Sequence, residues 1–200
     1  MRMRPEAALA LFLSLAVAPT AAQAEWKPVE KIATYRVSGR TGIDLYRSIG
    51  HRGPIVGTSV RAIAHTNFRL TWKRDYQRRG SACVLASAIP KLVITYTLPE
   101  AAEKLDPALA ARWKTFREGI AAHERVHGEQ IIAMARKIEA ATVGFTLEND
   151  PDCKKIYPAM QERLGALSRE QQEASNAFDR TEMAPGGTIE KLVLDLVNGG

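Results

Sequence analysis

Residues 106–141, DPALAARWKTFREGIAAHERVHGEQIIAMARKIEAA, decide the fold of this chain. Asp106 and Pro107 form a typical helix start, because aspartate caps the first turn and proline fits the first helical position. Apolar residues then recur every three or four positions, which predicts one helix to about Ala141. They are Leu109, Trp113, Phe116, Ile120, Ile131, Met134 and Ile138. Unbroken, this helix would span about 54 Å, so we consider a kink near Gly119 or Gly128.

The motif HExxH lies inside this helix as His123-Glu124-Arg125-Val126-His127. Because His123 and His127 are four positions apart, both project from one helix face and can reach a single Zn²⁺ ion. Both also fall on the apolar face, where a buried histidine needs a partner for its ring nitrogens. The pattern therefore predicts a zinc site.

Glu124 has a different predicted role. It lies about 100° around the helix from His123, which directs it toward water beside the metal instead of the metal itself. Zinc acidifies such a water, and a neighbouring carboxylate can take its proton and later deliver it to a leaving amine. The sequence thus predicts Glu124 as the catalytic general base.

The N-terminus has the pattern of a secretory signal peptide. Arg2 and Arg4 precede an apolar run from Ala7 to Ala18, and the small-residue tripeptide Ala22-Gln23-Ala24 follows. The run is shorter than the roughly 20 residues that a membrane-spanning helix needs. We expect cleavage after Ala24 and a periplasmic or secreted single domain, residues 25–200, with no membrane span.

The charge of the chain says little about its partners. The 28 Lys and Arg exceed the 22 Asp and Glu to give a net charge of +6, which falls to +5 without the signal segment. Outside the cytoplasm nucleic acid is not an expected partner. Lipid headgroups and wall polymers are the acidic partners there, and a small positive charge does not choose between them.

The remaining elements predict an α+β fold. Residues 25–100 are mainly β, with strand candidates at 31–37, 59–76 and 83–98 and one short helix near Thr41–Gly50. Pro90 inside the third candidate indicates a bulge or a sheet edge. Residues 105–200 are mainly α, with further helices at 154–178 and 188–197. We expect a small antiparallel sheet packed on the long helix, with the C-terminal helices beside it.

Two cysteines, Cys83 and Cys153, are the only ones in the chain. An even number in an oxidising compartment favours one disulfide between them. The chain-entropy estimate for a loop of this length is roughly 4 kcal/mol of stabilisation.

The motif and its surroundings resemble a bacterial family of predicted secreted zinc-dependent proteases, first catalogued as a domain of unknown function. The resemblance covers most of the chain after residue 25 and is carried, beyond the HExxH residues, by Tyr35–Thr41 with Leu45, the strand containing Trp72, Cys83, Thr97-Leu98-Pro99, Trp113 with Phe116, Cys153 and Phe178-Asp179. It implies an envelope or secreted hydrolase with a zincin-like fold.

The resemblance leaves the third zinc ligand open. Members of the family typically carry a histidine shortly after a Tyr-Asp pair, whereas this chain has Phe178-Asp179 and no histidine after His127. A catalytic zinc normally has three protein ligands and one water. Glu182, in the corresponding segment, is the predicted third ligand, and Glu170 and Glu173 are rivals. For Asp179 we expect a capping or surface role, with orientation of a zinc-bound histidine as the alternative.

These features predict an exported zinc metallopeptidase that acts on a peptide or protein substrate of the cell envelope. A non-catalytic envelope binding or assembly protein with a structural or degenerate zinc site is the competing hypothesis, and the missing histidine is its best support. A third is hydrolysis of cell-wall peptides. The motif does not identify the substrate, because specificity depends on groove residues.

Overall fold

The structure, a computed structural model, describes residues 26–199. The expected signal segment, residues 1–24, lies outside the described residues. The elements follow the chain as β1 (Val29–Val37), α1 (Gly42–Arg52), β2 (Ile55–Val56), β3 (Val60–Arg61), β4 (His65–Arg79), β5 (Ala82–Ala101), α2 (Pro107–Thr142), β6 (Thr146–Leu147), α3 (Ile156–Glu182) and α4 (Thr188–Asn198). The predicted α+β class, with a sheet beside one long helix, is confirmed.

The main sheet is mixed, which corrects the expectation of an antiparallel one. β5 is central and pairs antiparallel with β4, while β1 lies on its other side and runs parallel, with Val29 opposite Val93 and Val37 opposite Ala101. Alternation of apolar and polar residues identifies a strand but not the direction of its partner, so the sequence did not reveal this pairing.

Pro90 lies where β5 has one neighbour. It pairs with Trp72 of β4, and the ladder with β1 begins only at Val93. Proline has no backbone N–H to donate, but on the side of β5 that has no neighbouring strand at this point no hydrogen bond between strands is lost. The expected edge position of Pro90 is therefore confirmed, although the register shift of this hairpin lies elsewhere, between Asp75 and Tyr76.

Helix α2 is continuous over 36 residues and packs on the sheet. The side chain of Asp106 accepts hydrogen bonds from the backbone N–H groups of Ala108 and Leu109, each at 3.0 Å, which confirms the predicted cap. All seven members of the predicted apolar face are buried. The helix is uninterrupted at Gly119 and at Gly128. A Cβ atom at Gly128 would lie 2.1 Å from the Tyr96 hydroxyl, so this glycine permits close contact with β5.

A disulfide and a buried aspartate fix the N-terminal end of α3. Cys83 and Cys153 form the predicted disulfide, with Cα atoms 5.2 Å apart. The carboxylate of buried Asp150 accepts hydrogen bonds from the backbone N–H groups of Lys154, Lys155 and Ile156. Helix α3 then runs past its predicted end at Phe178 and stops only after Glu182. This extension places its last turns beside α2.

No helix in residues 26–199 is both long and apolar enough to cross a membrane.

Candidate metal centre

The two histidines of the motif face each other on α2. The Nε2 atom of His123 lies 3.1 Å from the Nε2 atom of His127, and both side chains are buried. A spacing of four residues gives this arrangement on any α-helix, because side chains one turn apart stack on one face. Burial of the face removes water from around both nitrogens.

Asp179, from the last part of α3, completes a triangle of donor atoms. Its Oδ1 atom lies 2.9 Å from His127 Nε2 and 3.2 Å from His123 Nε2. Ligands about 2.0–2.1 Å from a tetrahedral zinc ion stand about 3.3 Å from one another. The three separations are close to this value, so these donors fit a zinc ion in both spacing and chemistry.

The carboxylate of Asp179 approaches the histidines with a geometry that is poor for hydrogen bonding. Its Oδ1 atom is buried and has no hydrogen-bond partner among the described residues, although two ring nitrogens lie within 3.2 Å. Buried polar atoms are nearly always paired, so an orphan here requires an explanation. A cation bound between the three donor atoms would satisfy all of them.

Electrostatics in the cluster favour the ionised carboxylate. Burial by itself would raise the pKa of Asp179, but the two histidines outweigh burial and hold that pKa well below its usual range. Burial would likewise lower the pKa of His127, and Asp179 reverses this effect and raises it. The carboxylate therefore keeps the negative charge that a divalent cation needs.

Other side chains orient the donors. The Oγ atom of Ser175 lies 2.7 Å from His127 Nδ1, and the tautomer that donates to Ser175 leaves the Nε2 lone pair free. The ring of Phe178 stacks on His123, with centroids 4.7 Å apart, and meets His127 edge-on. Both orienting residues lie on α3, within one turn of Asp179.

Glu124 is buried next to the histidines but is not one of the three donors. The hydroxyl of Thr66, on β4, lies 2.5 Å from Glu124 Oε2 and donates to it. Thr66 is on the face of β4 that packs toward α2. The sheet thus holds the carboxylate of Glu124 while the helix holds the histidines.

The structure places the predicted third ligand, Glu182, elsewhere. Its Oε2 atom lies 4.0 Å from Nδ1 of His123, the nitrogen that points away from the triangle, and its Oε1 atom accepts a hydrogen bond from Thr188. Because α3 continues to Glu182, the residue one turn earlier faces the histidines instead. The rivals lie outside the cluster: Glu170 pairs with Lys137 on the surface, and Glu173 is exposed.

Asp179, expected to have a capping or surface role, is instead one of the three donors, and two further site residues, Thr66 and Ser175, had no specific signal in the sequence. The only available hint was the four-residue spacing of Gln171, Ser175 and Asp179, which gives a polar face on a predicted helix. The histidines before the motif do not join the donors. His51 is exposed in the last turn of α1, and His65, half-buried at the start of β4, lines the cavity without contributing to the cluster.

A cavity of about 420 Å³ opens over the cluster and is called here the metal cavity. Its floor contains His123, Glu124, His127, Ser175 and Asp179, and its walls include Val56, Val60, Thr66, Phe68 and Met183. The volume falls within the usual range for small-ligand sites. The donors are thus reachable from solvent although the histidine rings are buried.

Fold and site together define an α+β protein with a candidate His₂–Asp metal centre between α2 and α3. The chain belongs to a bacterial family described as proteins of unknown function (DUF922), whose family model matches residues 32–187. No curated protein and no solved structure matches the chain.

Proposed function

We propose that this protein is an exported zinc-dependent peptidase. The observation that carries the proposal is the triangle of His123 Nε2, His127 Nε2 and Asp179 Oδ1, which lies beside a carboxylate that is not part of it. Three protein donors are the usual number in catalytic zinc sites, whereas structural sites have four. Residues 26–199 offer three donors at this position.

Each residue has a defined task. His123, His127 and Asp179 would hold the metal, which when bound would act as a Lewis acid toward a peptide carbonyl and lower the pKa of a water molecule. Glu124 accepts a proton from water on its carboxylate and returns it to the amine that leaves. Thr66 keeps that carboxylate in position through its hydrogen bond to Oε2. Ser175 fixes the tautomer of His127.

The position of β4 favours a peptide as the substrate. β4 pairs only with β5 in the described part of the chain, so its other edge has no strand partner. Residues Ala64, His65, Thr66 and Phe68 at the start of this edge line the metal cavity. An extended peptide can pair its backbone with such an edge, which would bring a peptide bond over the metal.

The test separates metal binding from chemistry. Glu124→Gln keeps the size of the side chain but cannot accept the proton, so we expect normal zinc content and a roughly 10²–10⁴-fold loss of peptide hydrolysis. Glu129→Gln is the matched control, because Glu129 is exposed on the same helix and lines no cavity around the donors, and we expect it to keep both properties. Zinc is measured by elemental analysis and hydrolysis with a mixed peptide library.

Either of two results contradicts the proposal. Hydrolysis that survives Glu124→Gln at unchanged zinc content removes the assigned base. A wild-type protein that holds zinc in a closed shell of four protein ligands, seen by K-edge spectroscopy, supports the non-catalytic binding protein instead.

A further inference from the structure

A second cavity, called here the apolar pocket, adjoins the metal cavity. It has a volume of about 420 Å³ and shares six wall residues with the metal cavity: Val60, Ala62, Ala64, His123, Glu124 and Met183. The rest of its lining includes Ile63, Ile120, Ile189, Val193 and Leu194. A molecule bound at the metal centre therefore has an apolar recess directly beside Glu124.

The apolar lining is open to solvent. Val60, Met183 and Leu194 expose 67%, 56% and 47% of their surface, and all three line the pocket. Val56 and Phe68, two further exposed apolar residues, line the metal cavity. Half of the ten large apolar residues that residues 26–199 expose thus surround one site. A concentration of exposed apolar surface in a concave site is typical of ligand recognition.

Two charged residues of the pocket, Arg61 and Glu190, each have a hydrogen-bond partner on the backbone. Arg61 donates from Nη1 to the backbone oxygen of Gly53 at 2.6 Å, and the carboxylate of Glu190 accepts a hydrogen bond from the backbone N–H of Gly186. Both groups keep their charge, but the rest of the lining is mainly apolar, so a charged side chain that enters the pocket loses hydration that an apolar side chain does not need.

We propose that the apolar pocket binds the side chain of a large apolar residue of a peptide, next to the bond presented to the metal. The inference rests on the proposed function and names its substrate class: peptides with Leu, Met or Phe at one position flanking the cleaved bond. The recess is large enough for one such side chain, and the adjacent metal cavity takes the backbone.

The test measures binding separately from cleavage. Two peptide hydroxamates that differ only in the residue next to the metal-binding group, Leu or Gly, are titrated into zinc-loaded mature protein by calorimetry. We expect the Leu probe to bind at least about 10-fold more tightly, the range that apolar pockets provide. Leu194→Arg should abolish this preference, and Val60→Arg should weaken it.

Ile89→Arg is the matched control. Ile89 is 41% exposed on β5 and does not line either cavity, so the same substitution there should leave the preference unchanged. Equal affinity for the Leu and Gly probes, or binding of neither, overturns the inference, as does a preference that survives both Leu194→Arg and Val60→Arg.

The outcomes also separate the inference from the proposed function. A Leu preference without hydrolysis of any peptide means that the pocket recognises its ligand while the peptidase assignment fails. Hydrolysis with no preference at any position means that the peptidase assignment stands and the pocket does not select substrates.

Discussion

Helices α2 and α3 both contribute donors to the candidate metal centre, but they differ in how deeply they are buried. α2 has 14 buried residues along its whole length, whereas α3 has only two, Ile156 and Met160, both near its N-terminal end. The histidines are therefore fixed by the hydrophobic core, while Asp179 lies about five turns beyond the last buried residue of α3. The C-terminal half of α3 is therefore held by fewer buried residues than α2, and a metal bound by Asp179 and the histidines would add to its anchoring.

The largest difference in stability is expected from replacing one phenylalanine on each helix with alanine. Phe116 of α2 is fully buried, and Phe116→Ala should lower the free energy of unfolding by about 3–5 kcal/mol. Phe178 of α3 is half-buried against the histidines, and Phe178→Ala should cost about 1–2 kcal/mol while weakening zinc binding. Urea unfolding of both variants measures the difference. Equal losses would show that α3 is packed as firmly as α2.

The disulfide is expected to stabilise the protein at the N-terminal end of α3. Replacing both cysteines, Cys83→Ala with Cys153→Ala, is expected to lower the free energy of unfolding by about 2–4 kcal/mol. The control is reductant, which should destabilise the wild type to the same extent and leave the double variant unchanged. A double variant as stable as the wild type would mean that Asp150 alone secures this end.

Zinc should stabilise α3 selectively. At a free concentration 100 times Kd it should add about 2.7 kcal/mol to the free energy of unfolding. Hydrogen exchange should slow most at residues 171–182, because this part of α3 has no buried residue and contacts the buried histidines at the candidate metal centre. The central part of α2 serves as the internal reference, since its packing does not depend on the metal. Uniform slowing along both helices would mean that α3 depends on zinc no more than α2 does.

The smallest effect is expected at Thr66. Thr66→Val keeps the shape of the side chain but removes the hydrogen bond to Glu124, so turnover should fall several-fold while zinc content stays unchanged. Thr71→Val, on an exposed position of the same strand, is the control and should change neither property. Loss of zinc in Thr66→Val would mean that the threonine supports the donors instead of the base.

The same contrast explains how much the sequence could predict. The cap, length and apolar face of α2, and the pairing of His123 with His127, follow from spacing within one helix, so they were predictable. Asp179 was not, because its role depends on which face α3 turns toward α2 and on four residues of helix beyond the expected end. Thr66 was missed for a similar reason: its contact with Glu124 joins a strand and a helix that are 58 residues apart in the sequence.

The zinc affinity of two α3 variants shows whether Asp179 or Glu182 is the third ligand. Asp179→Ala and Glu182→Ala remove carboxylates three residues apart on the same helix, and chelator competition gives the Kd of each. If Asp179 is a ligand, its loss should weaken binding by more than roughly 100-fold, whereas loss of Glu182, which faces only the distal nitrogen of His123, should cost less than roughly 10-fold. The reverse order, or no effect of Asp179→Ala, contradicts the His₂–Asp centre.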